Sequence, residues 1–231
     1  MINVRTLAIG AFGLFLSTQS VAAQDRARYR EFQLGKDLPS ISALTGVAAS
    51  QAKTIHVRPA MMQELQWQRP YTLSGATAAE MDPVKQIVFS FYNDQLSKMV
   101  VDYDQDRTAG LTDRDMVDAL SAEYGPQLKP GVKAGRGIAS LVEEESGTLV
   151  ARWGDAGYSV VLYRSSYRSG FRIIVTSVRL ETLARTADAQ AARLDEREAP
   201  AREVARQKKE DDEARVAQEK ARVTNKAAFR P

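Results

Sequence analysis

The first candidate for chemistry is His56, the only histidine in the chain. An imidazole can act as a general base, but catalysis also needs a nucleophile and a carboxylate beside it. The chain has no cysteine, and nothing in the surrounding sequence places a serine and a carboxylate next to this histidine. Strand alternation puts His56 on the face opposite Ile55 and Val57. The pattern therefore predicts an ordinary exposed or edge-packed histidine.

Ser50 and Lys53 have the Ser-x-x-Lys spacing of penicillin-recognising enzymes, in which the lysine amine helps to activate the serine hydroxyl. That chemistry needs both residues on one helical turn, whereas Lys53 opens a strand-like stretch. The companion signatures Ser-Asp-Asn and Lys-Thr-Gly are absent from the sequence. The match is therefore too short to predict a catalytic pair.

Three carboxylates at alternating positions, Asp102, Asp104 and Asp106, resemble the start of a calcium-binding loop. Such a loop needs glycine at its sixth position for the sharp turn and glutamate at its twelfth. Here those positions hold Arg107 and Asp113, and a strand leads into the loop where an EF-hand has a helix. The sequence favours a solvated loop at a strand end.

Three further groups of residues could bind ligands. The Gly-Arg-Gly sequence at 135–137 lacks the third glycine of a nucleotide-binding turn and predicts a loop, and the acidic run at 143–145 is typical of a solvated turn. Trp67, Trp153 and Tyr158 could line a groove, but their setting in strands favours packing in the core. The sequence therefore predicts no catalytic, cofactor-binding or metal-binding residue.

The composition changes near residue 180 and divides the chain. Residues 24–179 contain aromatic and β-branched runs separated by Gly and Pro, whereas residues 180–231 are mostly Ala, Arg, Glu, Lys and Asp. The first part is long enough to bury one core. The formal net charge of +3 comes from a mixed population of charges, so no basic face for nucleic acid is predicted.

Residues 1–23 have the pattern of a cleavable signal peptide. Arg5 precedes an apolar stretch over residues 7–16, and Val21-Ala22-Ala23 is a sequence that signal peptidase accepts. The apolar stretch is shorter than the ~20 residues that span a bilayer. We therefore expect export to the periplasm or secretion, cleavage before Gln24, and no transmembrane anchor in the mature chain.

The elements that would position these residues are predicted from spacing. Two strand-like stretches flank Asn93-Asp94, a pair that tolerates the positive φ angles of a tight hairpin turn. Thr112 is typical of a helix N-cap, and Gly125-Pro126 of a helix end. Three strand-like stretches then follow over residues 147–180, and a short helix over residues 38–44 begins a similar first half. The prediction is α+β, with short helices packed on antiparallel β-meanders in two loose repeats.

The tail is predicted to be a long charged C-terminal helix that is broken near Pro200. An apolar stripe precedes the proline, and opposite charges one turn apart follow it. The stripe consists of Leu180, Leu183, Ala187, Ala191 and Leu194. We expect the first segment to dock on the globular domain or on a partner, in the manner of a coiled coil, and the second to be either a contact surface or a solubilising arm.

Phe32-Gln33-Leu34-Gly35, the short helix after it and the Phe-x-Phe-Tyr-Asn-Asp-Gln-Leu hairpin resemble small helix-plus-meander modules of the bacterial envelope. Outer-membrane assembly lipoproteins of the SmpA type and β-lactamase-inhibitor-like modules share this layout, and the chain is similar to a family of uncharacterised exported bacterial proteins that end in a charged helix. The resemblance covers residues 32–179. It implies a module that binds another cell-envelope protein without doing chemistry, although the missing cysteine excludes a lipoprotein anchor.

The sequence thus favours an exported, soluble, non-enzymatic protein-interaction module with no cofactor. One alternative is an enzyme that uses carboxylates or the Ser50–Lys53 pair. A second alternative is a ligand- or glycan-binding domain that uses the tryptophans.

Overall fold

A computed structural model describes residues 26–69, 82–129, 147–164, 170–228 and 230 as an α+β fold built on one large antiparallel sheet. The seven strands of this sheet have the order β3-β4-β5-β6-β9-β8-β7, and a separate two-stranded hairpin, β1-β2, precedes them. The strands are β1 Arg28–Tyr29, β2 Phe32–Gln33, β3 Lys53–His56, β4 Met62–Gln68, β5 Val84–Tyr92, β6 Gln95–Tyr103, β7 Thr148–Gly154, β8 Tyr158–Arg164 and β9 Phe171–Ser177. The α-helices are α1 Leu38–Thr45, α2 Asp113–Tyr124 and α3 Val178–Ala228.

The predicted hairpin is confirmed as β5 and β6. Asn93 and Asp94 form its turn with φ angles of 46° and 62°, the left-handed region that Asn and Asp tolerate better than most residues. Alternate side chains of β5 are buried on one face, as the spacing predicted. Side chains of β6 are buried on the same face, and the register of the two strands shifts at a bulge next to Ser90. The buried members are Ile87, Phe89, Phe91, Leu96, Met99 and Val101.

Both short helices begin at predicted positions. Asp37 caps α1 by accepting a hydrogen bond from the Ser40 N–H at 3.0 Å. Thr112 and Asp115 form a reciprocal capping box at the start of α2, which holds the pKa of the Asp115 carboxyl below its usual range. Gly125 ends α2 with φ at 87°, and a Cβ there would lie 2.8 Å from a guanidinium nitrogen of Arg26.

Each half of the fold is a helix followed by a meander. The first half is α1 with strands β3 to β6, and the second is α2 with β7 to β9. The last strands of the two meanders pair with each other, from Lys98 opposite Thr176 to Asp102 opposite Arg172. The predicted repeat order is therefore present, and the two meanders share a single sheet.

One face of the sheet carries the main core. Helix α2 packs there against β7, and its Met116, Leu120 and Tyr124 join the buried side chains of both meanders. Trp153 is fully buried and donates a hydrogen bond from Nε1 to Ser121 Oγ at 3.1 Å. The opposite face of the sheet carries a smaller apolar cluster and the first part of α3. The cluster contains Val161, Tyr163, Ile174 and Val100.

Helix α3 runs through Pro200, so the predicted break near this residue is wrong. The 51-residue helix begins directly after β9 and extends to Ala228. Proline removes one N–H from the backbone ladder and crowds the carbonyl one turn earlier. Next to this position the Arg202 guanidinium donates to the Asp195 carbonyl oxygen at 2.9 Å and to its carboxylate at 3.0 Å. These bonds connect the turns on either side of the proline, although the carbonyl that loses its helical donor is that of Glu196.

The first part of α3 docks on the sheet, as predicted, but its stripe is shifted. Leu183 is exposed, and Glu181 and Ala184 are buried in its place. Leu194 is half-buried, and every residue from 199 to 228 is exposed. Opposite charges one turn apart are paired in this outer part, as predicted, at Arg206–Glu210 (2.7 Å), Lys209–Glu213 (3.7 Å) and Arg215–Asp212 (3.3 Å).

Candidate functional site

A polar groove lies between α3 and the strands β3 to β6, on the face opposite the main core. Its volume is about 370 Å³. Strand alternation brings Glu64, Ser90 and Lys98 to this face, and successive turns of α3 bring Glu181 and Arg185. Charged side chains from two strands and one helix therefore converge in a space large enough for a small ligand.

Glu181 is the central residue of the groove. Its side chain is only 7% exposed, although a buried carboxylate is costly unless it is paired. Arg185 Nε lies 3.3 Å and Lys98 Nζ 3.8 Å from the same oxygen, Glu181 Oε1. The carboxylate is therefore compensated on one oxygen by two cations, one from the helix and one from the sheet.

The wall opposite α3 contains a second carboxylate, Glu64. Its Oε1 accepts a hydrogen bond from Ser90 Oγ at 3.5 Å, the long limit for such a bond. Ser97, which is buried, donates from Oγ to the Ser90 carbonyl oxygen at 3.0 Å and so fixes the bulged strand beside the groove.

Two polar contacts, one of them an ion pair, hold α3 at the edge of the sheet near β3. His56 Nε2 lies 2.9 Å from Asp188 Oδ1 at the rim of the groove. Further along the helix, Glu198 accepts from the Arg58 guanidinium at 2.8 Å. These contacts lie where α3 leaves the sheet, so they set the direction in which the exposed part of the helix projects.

The structure gives His56 an edge position and a structural partner. The histidine side chain is 23% exposed, and Asp188 is its polar partner. The prediction of an exposed or edge-packed histidine is confirmed, but no sequence pattern indicated its contact with the aspartate. Ser50 lies in a short 3₁₀ turn, Ala49–Gln51, and Lys53 opens β3. The two do not share a helical turn, and so they do not form the Ser-Lys arrangement.

Two carboxylates of the acidic stretch 102–106 form ion pairs with arginine side chains. Arg172 Nε donates to Asp102 at 2.6 Å, and Arg69 pairs with Asp104. Burial alone would raise the pKa of Asp104, but hydrogen bonds from Arg69 and from the Asp106 N–H hold this pKa below its usual range. Among the described residues no group of three potential ligands could hold a metal ion.

Two buried tyrosines, Tyr29 and Tyr124, and the half-buried Tyr103 form a polar cluster beneath the β1-β2 hairpin. Tyr29 and Tyr103 share a hydrogen bond of 3.1 Å between their hydroxyls, and Tyr124 donates to the Arg28 carbonyl oxygen at 2.9 Å. Burial raises the pKa of all three phenols above the ordinary value. They therefore stay protonated at neutral pH and act here as hydrogen-bonding core residues.

The aromatic residues proposed for a glycan groove lie in or against the core. Trp153 and Tyr158 are buried, and Trp67 packs against the main cluster. The Gly-Arg-Gly sequence at 135–137, the acidic run at 143–145 and the signal peptide over 1–23 lie outside the described residues.

No sequence pattern indicated the groove. In the sequence, Lys98 is one of several polar residues that alternate along a strand, and Glu181 is one of many charged residues of the helix. Neither residue stands out as part of a site. The helix buries Ala184 where the sequence predicted Leu183, and this rotation of the buried face places Glu181 against the sheet. Small residues at 184, 187 and 191 were the available indication, because alanines allow close approach of a helix to a sheet.

No family model matches the chain, and neither a curated protein nor a solved structure matches it. The resemblance to helix-plus-meander envelope modules therefore stays a prediction. Within the described part of the chain, none of the helices combines the length and apolar character needed to cross a bilayer.

Proposed function

We propose that this protein is an exported, non-enzymatic interaction module that contacts another cell-envelope protein through the outer part of α3. The observation that carries this proposal is the outer arm, defined as residues 201–228, in which every residue is helical and exposed. At 1.5 Å per residue the arm extends about 40 Å.

The arm combines paired charges with exposed apolar side chains, as a surface that binds another protein does. Ion pairs one turn apart support its helix, including Arg206–Glu203 at 2.6 Å and Arg206–Glu210 at 2.7 Å. Val204, Val216 and Val223 are 66%, 64% and 61% exposed along it. Val216 and Val223 are seven residues apart and share one face of the helix, so a partner helix or groove could cover them and pair with the adjacent charges, which is the helix-in-groove mode of recognition.

The docked part of α3 supports the proposal that the domain holds the arm in place for a partner. Small residues of α3 are buried against the sheet, and the hydrogen bond between Asp188 and His56 and the ion pair between Glu198 and Arg58 hold the helix near β3. A helix anchored in this way carries the arm away from the domain in one direction. This geometry suits a module that acts by contact.

Site-specific photocrosslinking in the native envelope tests the proposal. A photoreactive residue at Val216 should give a discrete crosslinked product, which an excess of unlabelled full-length chain competes away and an excess of a chain that ends after Glu198 does not. The matched control is Leu44, which is 49% exposed on α1, away from the arm. Identical products from positions 216 and 44, or none from three arm positions in protein shown to be exported, would contradict the proposal.

A further inference from the structure

We propose that the outer arms of two copies of this chain pair side by side in antiparallel orientation. The inference rests on the proposed function in taking the outer arm as a contact surface, and it names the partner helix as the arm of a second copy. Two observations carry it: the order of the charges along one face of the arm, and the continuity of that face with the docked part of α3.

The face in question continues the buried side of the docked helix. Leu180, Ala184, Ala187 and Ala191 follow one another at steps of four and three residues and are buried. Steps of three or four residues keep side chains on one side of a helix, and they lead on through Leu194 and residues 198 and 202 into the arm. The arm therefore exposes the side of α3 that the sheet covers in the docked part. We call this row the seam, and its members are Arg202, Ala205, Lys209, Asp212, Val216 and Glu219, all of them exposed.

The charges of the seam match those of an antiparallel copy. From residue 202 to residue 219 the seam is basic, apolar, basic, acidic, apolar and acidic, and its spacing is the same in both directions. When Lys209 lies opposite Asp212 of the second copy, the remaining members of the seam also match. The facing pairs, each formed twice, are then Lys209–Asp212, Ala205–Val216 and Arg202–Glu219. A parallel copy would instead place lysine opposite lysine and aspartate opposite aspartate, which is unfavourable.

The central charges of the seam can exchange their present contacts for a partner. Lys209 lies 3.7 Å from Glu213, and Asp212 lies 3.3 Å from Arg215, both within the arm. All four side chains are more than half exposed, and exposed ion pairs of this kind contribute little to stability. A second arm therefore has little to displace when it pairs with Lys209 and Asp212.

The register fits the length of the arm and limits the strength of the pairing. Residue 223 of one arm lies opposite residue 198 of the other, near the point where α3 leaves the sheet, so the two domains lie at opposite ends of the pair. The seam contains few large apolar residues, and Lys208 lies near Arg215 of the second copy on one flank. The pairing is therefore weak and depends on its ion pairs, which salt screens.

Sedimentation equilibrium of the purified full-length protein tests the pairing. We expect a reversible monomer–dimer equilibrium that added salt weakens. Lys209→Asp places acids opposite acids in the pair, and Asp212→Lys places lysines opposite lysines, so each change should weaken self-association at least tenfold. An equimolar mixture of the two variants restores both central ion pairs and should dimerise nearly as well as the wild type.

Asp211→Lys is the matched control for the reversal of charge. It makes the same change one residue away, about 100° around the helix from Asp212, and it should dimerise as the wild type does. Single cysteines measure the direction of the pairing, because the chain has no cysteine of its own. After mild oxidation, a mixture of Ala205→Cys and Val216→Cys should form disulfide-linked dimers of the two variants, whereas each variant alone should not.

Several outcomes would overturn the inference. These are folded protein that stays monomeric at every concentration, single reversals that leave the affinity unchanged, a mixture that does not recover it, or equal self-association of a chain that ends after Glu198. Circular dichroism shows whether each variant keeps its helix. A crosslink from position 216 to a different protein, with a monomeric chain in solution, would overturn the pairing but leave the arm as a contact surface, so the two tests remain distinct.

Discussion

At the scale of single residues, the core depends on large side chains that alternate along the strands. Phe89 is fully buried in β5, and its ring packs edge-on against Phe32 with centroids 4.9 Å apart. Leu120 enters the same core from α2. Both residues thus connect elements that are distant in the chain, and their truncation would leave a cavity that the surrounding strands cannot close.

Phe89→Ala and Leu120→Ala should each lower the free energy of unfolding by about 2 to 5 kcal/mol, because each removes buried contacts and opens a cavity. Urea denaturation followed by circular dichroism measures the change. Val204→Ala is the control, since Val204 is 66% exposed and should change stability by less than ~0.5 kcal/mol. Losses below ~1 kcal/mol at both core positions would contradict this assignment of the core.

A second residue-scale prediction concerns Asp82. Arg30 donates two hydrogen bonds to its carboxylate, at 2.6 and 2.8 Å, and these hold the pKa of Asp82 below its usual range. A depressed folded-state pKa stabilises the fold above the unfolded pKa of ~3.9, and this stabilisation is lost as pH falls through the folded pKa. Asp82→Asn should therefore cost about 0.5 to 1 kcal/mol at pH 7, a modest value because solvent screens the pair.

The difference between the wild type and Asp82→Asn should shrink as the pH falls below ~4. Unfolding free energies measured from pH 7 to pH 3 check this slope. Glu210→Gln removes an exposed carboxylate of the arm, away from the core, and serves as the control. A difference for Asp82→Asn that does not change with pH would exclude the ion pair as its cause.

At the scale of elements, the parts of the fold that rest on local spacing could be predicted. The turn residues Asn93 and Asp94, the cap at Thr112 and the stop at Gly125 fix elements through contacts within a few residues. The three strands of the second meander follow from their β-branched alternation. Their last strand was predicted to extend to residue 180, but it ends at Ser177 because Val178 already begins α3.

The interior of α3 could not be predicted in the same way. Local propensity favours a break at Pro200, but the helix continues. The neighbouring hydrogen bonds from Arg202 to Asp195 join residues seven positions apart, which a local pattern does not indicate. The stripe shift from Leu183 to Ala184 likewise depends on how the helix crosses the sheet. The groove around Glu181 follows from this crossing, and residues that meet only through tertiary packing leave no spacing pattern.

Truncations separate the docked and exposed parts of α3. A chain that ends after Glu198 should keep nearly the full melting temperature, because residues 201–228 are exposed. A chain that ends after Val178 loses the buried Leu180, Ala184, Ala187 and Ala191 and should melt several degrees lower or associate through the uncovered face. Differential scanning calorimetry distinguishes the two, and equal effects would contradict the division of the helix.

At the scale of the whole molecule, export is the prediction that most affects where the protein works. Val21-Ala22-Ala23 is followed by Gln24, and the mature protein purified from the cell envelope should begin at Gln24 or within two residues of it. N-terminal sequencing gives the result directly. Recovery of envelope protein that retains Met1 would contradict cleavage, and Ala23→Arg, which blocks the peptidase subsite, should cause the precursor to accumulate.

The joining of the two meanders through β6 and β9 also determines the order in which the chain can fold. Each meander contains a hairpin with a short turn, at Asn93-Asp94 in the first and between Gly154 and Tyr158 in the second. The five pairs between Lys98–Asp102 and Arg172–Thr176 require a much larger loop to close, and loop closure costs entropy that grows with length. We therefore expect the hairpins to form early and the β6–β9 contact to form after the main barrier. Val101→Ala and Val175→Ala, which weaken that contact, should then speed unfolding more than they slow folding.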